Sequence, residues 1–316
     1  MIRIRPTATI AFILLACGLA WIVALPLWLN GGLANPLTGV VIPVMMYTPA
    51  LAVLITMLAL RPVPKGERLR FLGIWPLRPA KRVVWMTVLG LFGPIVLTAL
   101  SIAVAALCGW VTLDLVHFSG FAAQLESSLP AGLPAPPAVI VIVSQLALIP
   151  LAAATINAVL AFGEELGWRG FLLPALRQYG TWSALLISGI VWGLWHSPLI
   201  LLGYNFGITD LTGVLLMTAG CVAWGVLLGW LRLRSASLWP AVFAHGAMNA
   251  GGGMIVWVHA AGTNVDLALA GMLGAAGWIT CALVAVVLVL TGQFRRQPEL
   301  DGAVGRMLSA PRRIGE

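Results

Sequence analysis

Long apolar runs alternate with short polar segments over almost the whole chain. Each run has about 20 residues, the length that an α-helix needs to cross the ~30 Å hydrocarbon core of a bilayer. Charge, proline or glycine closes each run, and no soluble domain or convincing internal repeat interrupts the pattern. The pattern predicts an all-α polytopic membrane bundle of about eight transmembrane helices, at roughly residues 8–29, 37–60, 83–107, 137–163, 181–203, 211–231, 236–258 and 267–291.

Alternating these runs across the bilayer sorts the charged residues by side. All 18 lysines and arginines fall on one side, in the N-terminus, the segments 61–82, 164–180 and 232–235, and the tail 292–316. The other side has no basic residue and carries Asp114, Glu126, Asp210 and Asp266. Because cytoplasmic loops of membrane proteins are enriched in lysine and arginine, we predict that both termini are cytoplasmic.

The first run needs a separate check, because Arg3 and Arg5 precede it as in a signal peptide and the residues before Cys17 resemble a lipoprotein cleavage box. The run continues past Cys17 to Leu29, which is longer than the apolar region of a signal peptide. We interpret it as an uncleaved first span, with lipoprotein processing at Cys17 as the alternative.

Composition supports a multi-pass protein of the cell membrane and excludes other classes. The 316 residues are 60% hydrophobic and only 9% charged, whereas soluble domains have roughly 25% charged residues. The net charge of +8 does not indicate a nucleic-acid-binding protein, because the basic residues form no block interleaved with aromatics. The four cysteines have no C-x-x-C spacing, so they predict neither a disulfide scaffold nor a cysteine-ligated metal.

We expect a single membrane domain over residues 1–316, with a catalytic core at about 137–258 and a cytoplasmic tail at about 292–316. The basic segment 61–82 is either a short amphipathic element in the headgroup plane or a solvated loop. One continuous helix from Pro137 to Arg169 would rise about 50 Å, well beyond the membrane core. The helix therefore either begins late, near Pro150, or bends there.

The polar residues that are energetically most costly to place in a membrane are Glu164, Glu165 and Arg169. They follow a run that has no charge from Pro137 to Gly163. Ionisable groups at membrane depth are rare and by default functional. Glu165 and Arg169 are four residues apart, so they share a helix face and can pair, while Glu164 points about 100° away. One carboxylate is then held and the other stays available as a general base. The alternative is a charged helix end at the cytoplasmic interface.

Two later runs each carry a histidine. His196 lies in the fifth run, and His245 lies in the seventh, four residues before Asn249 and therefore on the same helix face. Small residues surround this His–Asn pair, as expected where helices pack closely around a site. The alternative for each group is a hydrogen bond between packed helices. His117 and His259 lie in or beside outer loops, and we give them no role.

The order Glu164-Glu165-x-x-x-Arg169, Trp192-x-x-x-His196 and His245-x-x-x-Asn249 resembles the CAAX protease and bacteriocin-processing family, which includes the type II CAAX prenyl endopeptidases and their bacterial Abi relatives. The family pattern has phenylalanine at the position of Trp192, and this is the one departure. The resemblance covers roughly residues 137–258. It implies an intramembrane endopeptidase.

The resemblance also implies a role for each motif residue. Glu164 and His196 activate a water molecule, His245 and Asn249 form an oxyanion hole, and Glu165 with Arg169 holds the geometry. Two histidines and a glutamate could complete a zinc site. The H-E-x-x-H pattern is absent, and we favour hydrolysis without a metal or another cofactor.

Two other function classes stay open at the level of the sequence. One is a proton-coupled transporter that uses the buried acidic groups and histidines, although no pair of inverted repeats supports it. The other is a non-proteolytic immunity or scaffold protein. The expected partners are membrane lipids and a membrane-associated protein or peptide substrate. The sequence does not reveal whether this substrate is prenylated. It also leaves the oligomeric state open.

Overall fold

The computed structural model describes residues 2–130 and 132–297. Within these residues the fold is all helical, and the only β-type pairing is an isolated bridge between Leu113 and His259. A π-helix covers Leu166–Leu172, and 3₁₀ turns lie at Gly32–Ala34, Lys65–Glu67, Arg177–Tyr179 and Gln293–Arg295. The α-helices of the described residues are α1 (Pro6–Leu29), α2 (Thr38–Met46), α3 (Thr48–Ala59), α4 (Arg68–Phe71), α5 (Ala80–Leu107), α6 (Ser119–Ser128), α7 (Ala138–Ala154), α8 (Ile156–Glu165), α9 (Leu173–Leu176), α10 (Thr181–Trp195), α11 (Ser197–Ile200), α12 (Leu211–Ser235), α13 (Trp239–Gly251), α14 (Met254–Val258), α15 (Leu267–Ala270) and α16 (Ala275–Leu290).

The prediction of an all-α, multi-pass membrane bundle is confirmed, and each of the eight apolar runs is helical. Six helical segments of the described chain are long and apolar enough to span a membrane, or seven if the bent pair Ala138–Ala154 and Ile156–Tyr179 counts as one span. The fifth run differs from the prediction, because α10 has only 15 residues and ends at Trp195. The six are Pro6–Leu29, Thr38–Ala59, Ala80–Leu107, Leu211–Ser235, Trp239–Val258 and Leu267–Leu290.

The long fourth run bends instead of beginning late. Helix α7 starts at Ala138 and continues through Pro150 to Ala154, and Thr155 then leaves the helical conformation with φ −117° and ψ −99°. The chain beyond Thr155 is inclined by 45° to α7. Because proline removes a backbone donor and crowds the preceding turn, Pro150 is the sequence feature that weakens the helix here. The bend directs α8, with both glutamates at its end, into the bundle.

Helix α13 lies at the centre of the bundle and packs against α5, α7, α8 and α12. Its Gly246 fits against the bend: a Cβ at this position would lie 2.6 Å from the carbonyl oxygen of Ala153. Helix α10 packs along α12 in the same way, since a Cβ on Gly189 would lie 2.8 Å from the Cα of Val222. Small residues therefore set the close helix approaches, as is common in membrane bundles.

The segments predicted to be cytoplasmic contact one another at one end of the bundle. The Gln178 side chain donates to the carbonyl of Ile4 at 2.8 Å, and the Gln297 side chain donates to the Thr181 hydroxyl at 3.4 Å. The 61–82 segment also docks here, because the Leu238 N–H donates to the carbonyl of Gly73 at 2.8 Å. It is therefore packed on the bundle rather than a free loop. Residues 298–316, most of the predicted tail, lie outside the described residues.

The segments predicted to be on the other side meet at the opposite end. The indole N–H of Trp28 donates to the carbonyl of Pro198 at 2.9 Å, and the Asp114 N–H donates to the carbonyl of Val258 at 2.9 Å. Asp114 also accepts backbone N–H bonds from His117, Val116 and Ser119. These bonds, that from His117 first, hold the pKa of the Asp114 carboxyl well below its usual range.

Candidate active site

The two glutamates are positioned by a tight contact between α8 and the junction of α2 and α3. Gly163, just before them, faces the carbonyl oxygen of Met46, where a Cβ would lie at 2.7 Å. Gly167, just after them, lies directly against the ring of Pro49. The chain then widens into the π-helix Leu166–Leu172, a distortion that often accompanies functional sites. This geometry turns the carboxylates towards α10 and α13.

Glu165 is the centre of a buried ionic cluster. Its Oε1 accepts from Arg169 Nη1 at 2.7 Å and lies 2.8 Å from His245 Nδ1. Glu165, Arg169 and His245 are each at most 3% exposed. The predicted Glu165–Arg169 pair is therefore present in the structure, and it also joins α8 to α13 through the imidazole.

Glu164 is held by a different partner. Its Oε2 accepts from the indole N–H of Trp192 at 2.7 Å, and its Oε1 has no hydrogen bond from the described residues. The guanidinium of Arg169 lies over the Trp192 ring, 4.3 Å from the ring centroid, which is a cation–π arrangement. Trp192 thus fixes Glu164 through its N–H group and Arg169 through its ring face.

His196 occupies the break between α10 and α11. Its Nδ1 lies 2.9 Å from the carbonyl oxygen of Trp192. Because a carbonyl can only accept, we assign the proton to Nδ1, which leaves a lone pair on Nε2. The Trp195 ring packs edge-on against the imidazole at a centroid distance of 4.7 Å. The Trp195 indole N–H donates to the Thr48 hydroxyl at 3.0 Å.

A cavity of about 410 Å³ lies over these groups. Four of the six residues that the sequence singled out line it: Glu164, His196, His245 and Asn249. Glu165 and Arg169 do not line the cavity and lie behind it as the ion pair. The structure therefore brings groups from three separate apolar runs to one cavity. Four of these groups face the cavity, and the Glu165–Arg169 pair packs behind them.

Some cavity-lining residues were missed by the sequence analysis. Asn157 lies seven residues before Glu164, two helical turns away on the same face, so its spacing was a usable signal. Tyr204, Asn205 and Phe206 also line the cavity. They belong to the connection between α11 and α12, and helix periodicity gives no signal for residues in such a connection.

The donor set does not fit a zinc site. Within the described residues, no group of three or more His, Cys, Asp and Glu side chains is arranged to hold a metal ion. Catalytic zinc typically has three protein ligands and an open position. Hydrolysis without a metal stays a prediction, tested below.

Comparison with known proteins agrees with the order of the motifs. Residues 144–251 match the family model described as type II CAAX prenyl endopeptidase Rce1-like, which confirms the resemblance for this part of the chain. A curated relative, CAAX prenyl protease 2 of Methanococcus maripaludis, is 29% identical over 99 residues, which cover 27% of this chain and 34% of that protein. The match thus spans about a third of the length of the relative. No solved structure matches.

Proposed function

We propose that this membrane protein, with its Rce1-like segment, is an intramembrane endopeptidase that hydrolyses a peptide bond of a membrane-associated polypeptide. One observation carries the proposal: Glu164, His196, His245 and Asn249 line a single cavity, and the Glu165–Arg169 ion pair lies behind it. Amide hydrolysis needs a base for water and donors directed at the developing oxyanion, and these residue types supply both.

Glu164 is the proposed general base. The Trp192 N–H occupies Oε2, so Oε1 is the oxygen that can receive a proton from water. In the proposed first step, the water oxygen forms a bond to the carbonyl carbon of the substrate, and a water proton passes to Glu164. The π electrons of the carbonyl move onto its oxygen, which becomes the oxyanion.

His196 is proposed to orient the same water. Its Nε2 lone pair is available because Nδ1 donates to the Trp192 carbonyl. The Glu164 carboxylate and the His196 imidazole are both tied to Trp192, the first to its side chain and the second to its main-chain carbonyl. This shared anchor supports a fixed distance between base and histidine, as preorganised catalysis requires.

His245 and Asn249 are proposed to stabilise the oxyanion. The Asn249 side-chain amide donates without any change of charge. His245 directs Nδ1 at the Glu165 carboxylate, so Nε2 becomes a donor only in the imidazolium form. The intermediate then collapses, the C–N bond breaks, and the proton held by Glu164 passes to the leaving amine.

The proposed substrate is a polypeptide associated with the membrane. The name of the Methanococcus maripaludis relative refers to CAAX prenyl processing, and a prenylated CAAX tail is one candidate of this class for the present chain.

Comparative membrane proteomics of cells with wild-type protein and with Glu164→Ala tests the proposal. We expect a polypeptide that is shortened only when Glu164 is intact, and identical peptide profiles would contradict the proposal.

A further inference from the structure

We infer that the catalytic cavity opens in the half of the membrane opposite the basic face, so the substrate is an exported or membrane-spanning polypeptide cleaved from the non-cytoplasmic side. This inference rests on the proposed protease function for its substrate class. The location of the opening, however, rests on geometry and charge alone. A lipid-modified tail at the cytoplasmic face would have no direct path to Glu164.

The two faces of the bundle can be told apart from contacts and charge together. All 18 basic residues belong to segments on one side of the alternating chain. Contacts of Gln178 with Ile4, and of Arg232 with the carbonyl of Phe71, join these segments at one end of the structure. Lysine and arginine mark the cytoplasmic side of membrane proteins. The end with the Trp28–Pro198 contact is then the non-cytoplasmic end.

On α10, α12 and α13 the cavity extends from the middle of the bundle towards this non-cytoplasmic end. Helix α10 starts at the basic end and contributes its last turn, with Trp192 and Trp195, before His196. Helix α12 runs in the opposite direction and contributes Met217, near its start. Helix α13 again starts at the basic end and contributes its second half, from His245 onwards. The lining of these antiparallel helices therefore reaches towards the same end of the bundle.

The path from the site to the basic face is filled with side chains. Trp168 and Phe171, which follow the glutamates in the π-helix, are fully buried. Leu228 and Arg232, in the last turns of α12, are each 1% exposed. Arg232 also closes this end by donating from Nε to the carbonyl of Arg169 at 3.2 Å. A peptide could not reach Glu164 from this side without displacing the packed core.

The cavity wall is exposed at the other end. Asn249 is exposed, and Leu267, at the start of α15, is 38% exposed. Tyr204 and Phe206, in the connection between α11 and α12, are only partly buried. Polar amides and aromatic rings therefore border the opening, which suits an extended peptide segment that must keep its backbone groups hydrogen-bonded inside the membrane.

Cysteine accessibility in sealed right-side-out and inside-out vesicles tests the inference without any substrate. The probe is a small, charged, membrane-impermeant thiol reagent. Native Cys108 is exposed after the end of α5 and reports the non-cytoplasmic face, while Lys65→Cys reports the basic face. In a Cys108→Ser background, Met217→Cys and Leu160→Cys place the thiol in the cavity wall. Val214→Cys, buried one turn from Met217 and outside the cavity lining, is the matched control.

We expect the two cavity cysteines to react only from the face that reaches Cys108, and the Val214→Cys thiol to react from neither face. Reaction of the folded cavity variants only from the face that reaches Lys65→Cys, or from neither face, would overturn the inference. So would reaction of Cys108 from the cytoplasmic face. Glu164→Gln in the same background should leave the labelling pattern unchanged, so failure of the protease proposal and failure of this inference give different results.

Discussion

Replacing Trp192 with phenylalanine is a sharp test of how the base is held. The substitution introduces the residue of the family pattern, keeps an aromatic ring beneath Arg169 and removes one hydrogen-bond donor. That donor lies 2.7 Å from Glu164 Oε2. Among the described residues, it forms the only hydrogen bond to the Glu164 carboxylate. Without it, both carboxylate oxygens are free to rotate away from the water position.

The expected magnitude follows from the chemistry of the bond. A hydrogen bond to a charged group contributes about 1.5–3 kcal/mol, and each 1.36 kcal/mol changes a rate tenfold, which gives roughly a 10- to 150-fold loss. The loss should appear in kcat with KM nearly unchanged, because Glu164 acts on the water in the transition state rather than on the bound substrate.

Trp195→Phe is the matched control. Trp195 is equally buried, lines the same cavity and donates its indole N–H to Thr48 instead of a carboxylate. The Trp195→Phe substitution therefore removes the same ring volume and one hydrogen-bond donor, but it leaves the contacts of Glu164 unchanged. Both variants should be compared by steady-state turnover per folded molecule and by thermal unfolding. Equal loss of kcat in the two variants, or a wild-type kcat for Trp192→Phe, would refute the positioning argument.

Three further predictions concern the remaining site. Arg169→Ala should lower the amount of folded protein, since breaking a buried ion pair costs about 3–5 kcal/mol, whereas Arg169→Lys should recover part of it; detergent-stable yield measures both. His245→Ala and Asn249→Ala should each reduce kcat roughly 10²–10³-fold as oxyanion donors are lost, and unchanged turnover in either would remove that residue from the oxyanion hole. A strong chelator should leave turnover intact; loss restored by zinc alone would reverse the preference for a metal-free reaction.

The sequence predicted which residues converge because polar groups in apolar runs have few alternatives to one another. Glu165 with Arg169 followed from helix spacing alone. The contact of Glu165 with His245 joins residues 80 positions apart and could not be derived from periodicity. The same holds for Trp192, whose N–H meets Glu164 across two helices. Its replacement of phenylalanine in the motif was visible, but its use as a donor was not.

The helix breaks show where sequence reasoning was incomplete. Thr155 lies five residues after Pro150, so the proline indicated a bend but not its position or its 45° angle. The end of α10 was also signalled, since Pro198 stands in the first turn of α11 and its ring restricts the backbone before it. Hydropathy averages over such breaks. A run of apolar residues therefore predicted one span where the structure has a short helix, His196 and a new helix.

The role of Glu164 is the central claim, and Glu164→Gln tests it most directly. The amide keeps the shape of the side chain, and its oxygen can still accept the Trp192 N–H, so the fold and substrate capture should persist. It cannot take a proton from water, and we expect turnover per folded molecule to fall at least about 100-fold with a defined substrate, as for loss of a general base. Near-normal turnover by folded Glu164→Gln, with activity lost instead in Glu165→Gln, would contradict the assignment of the base.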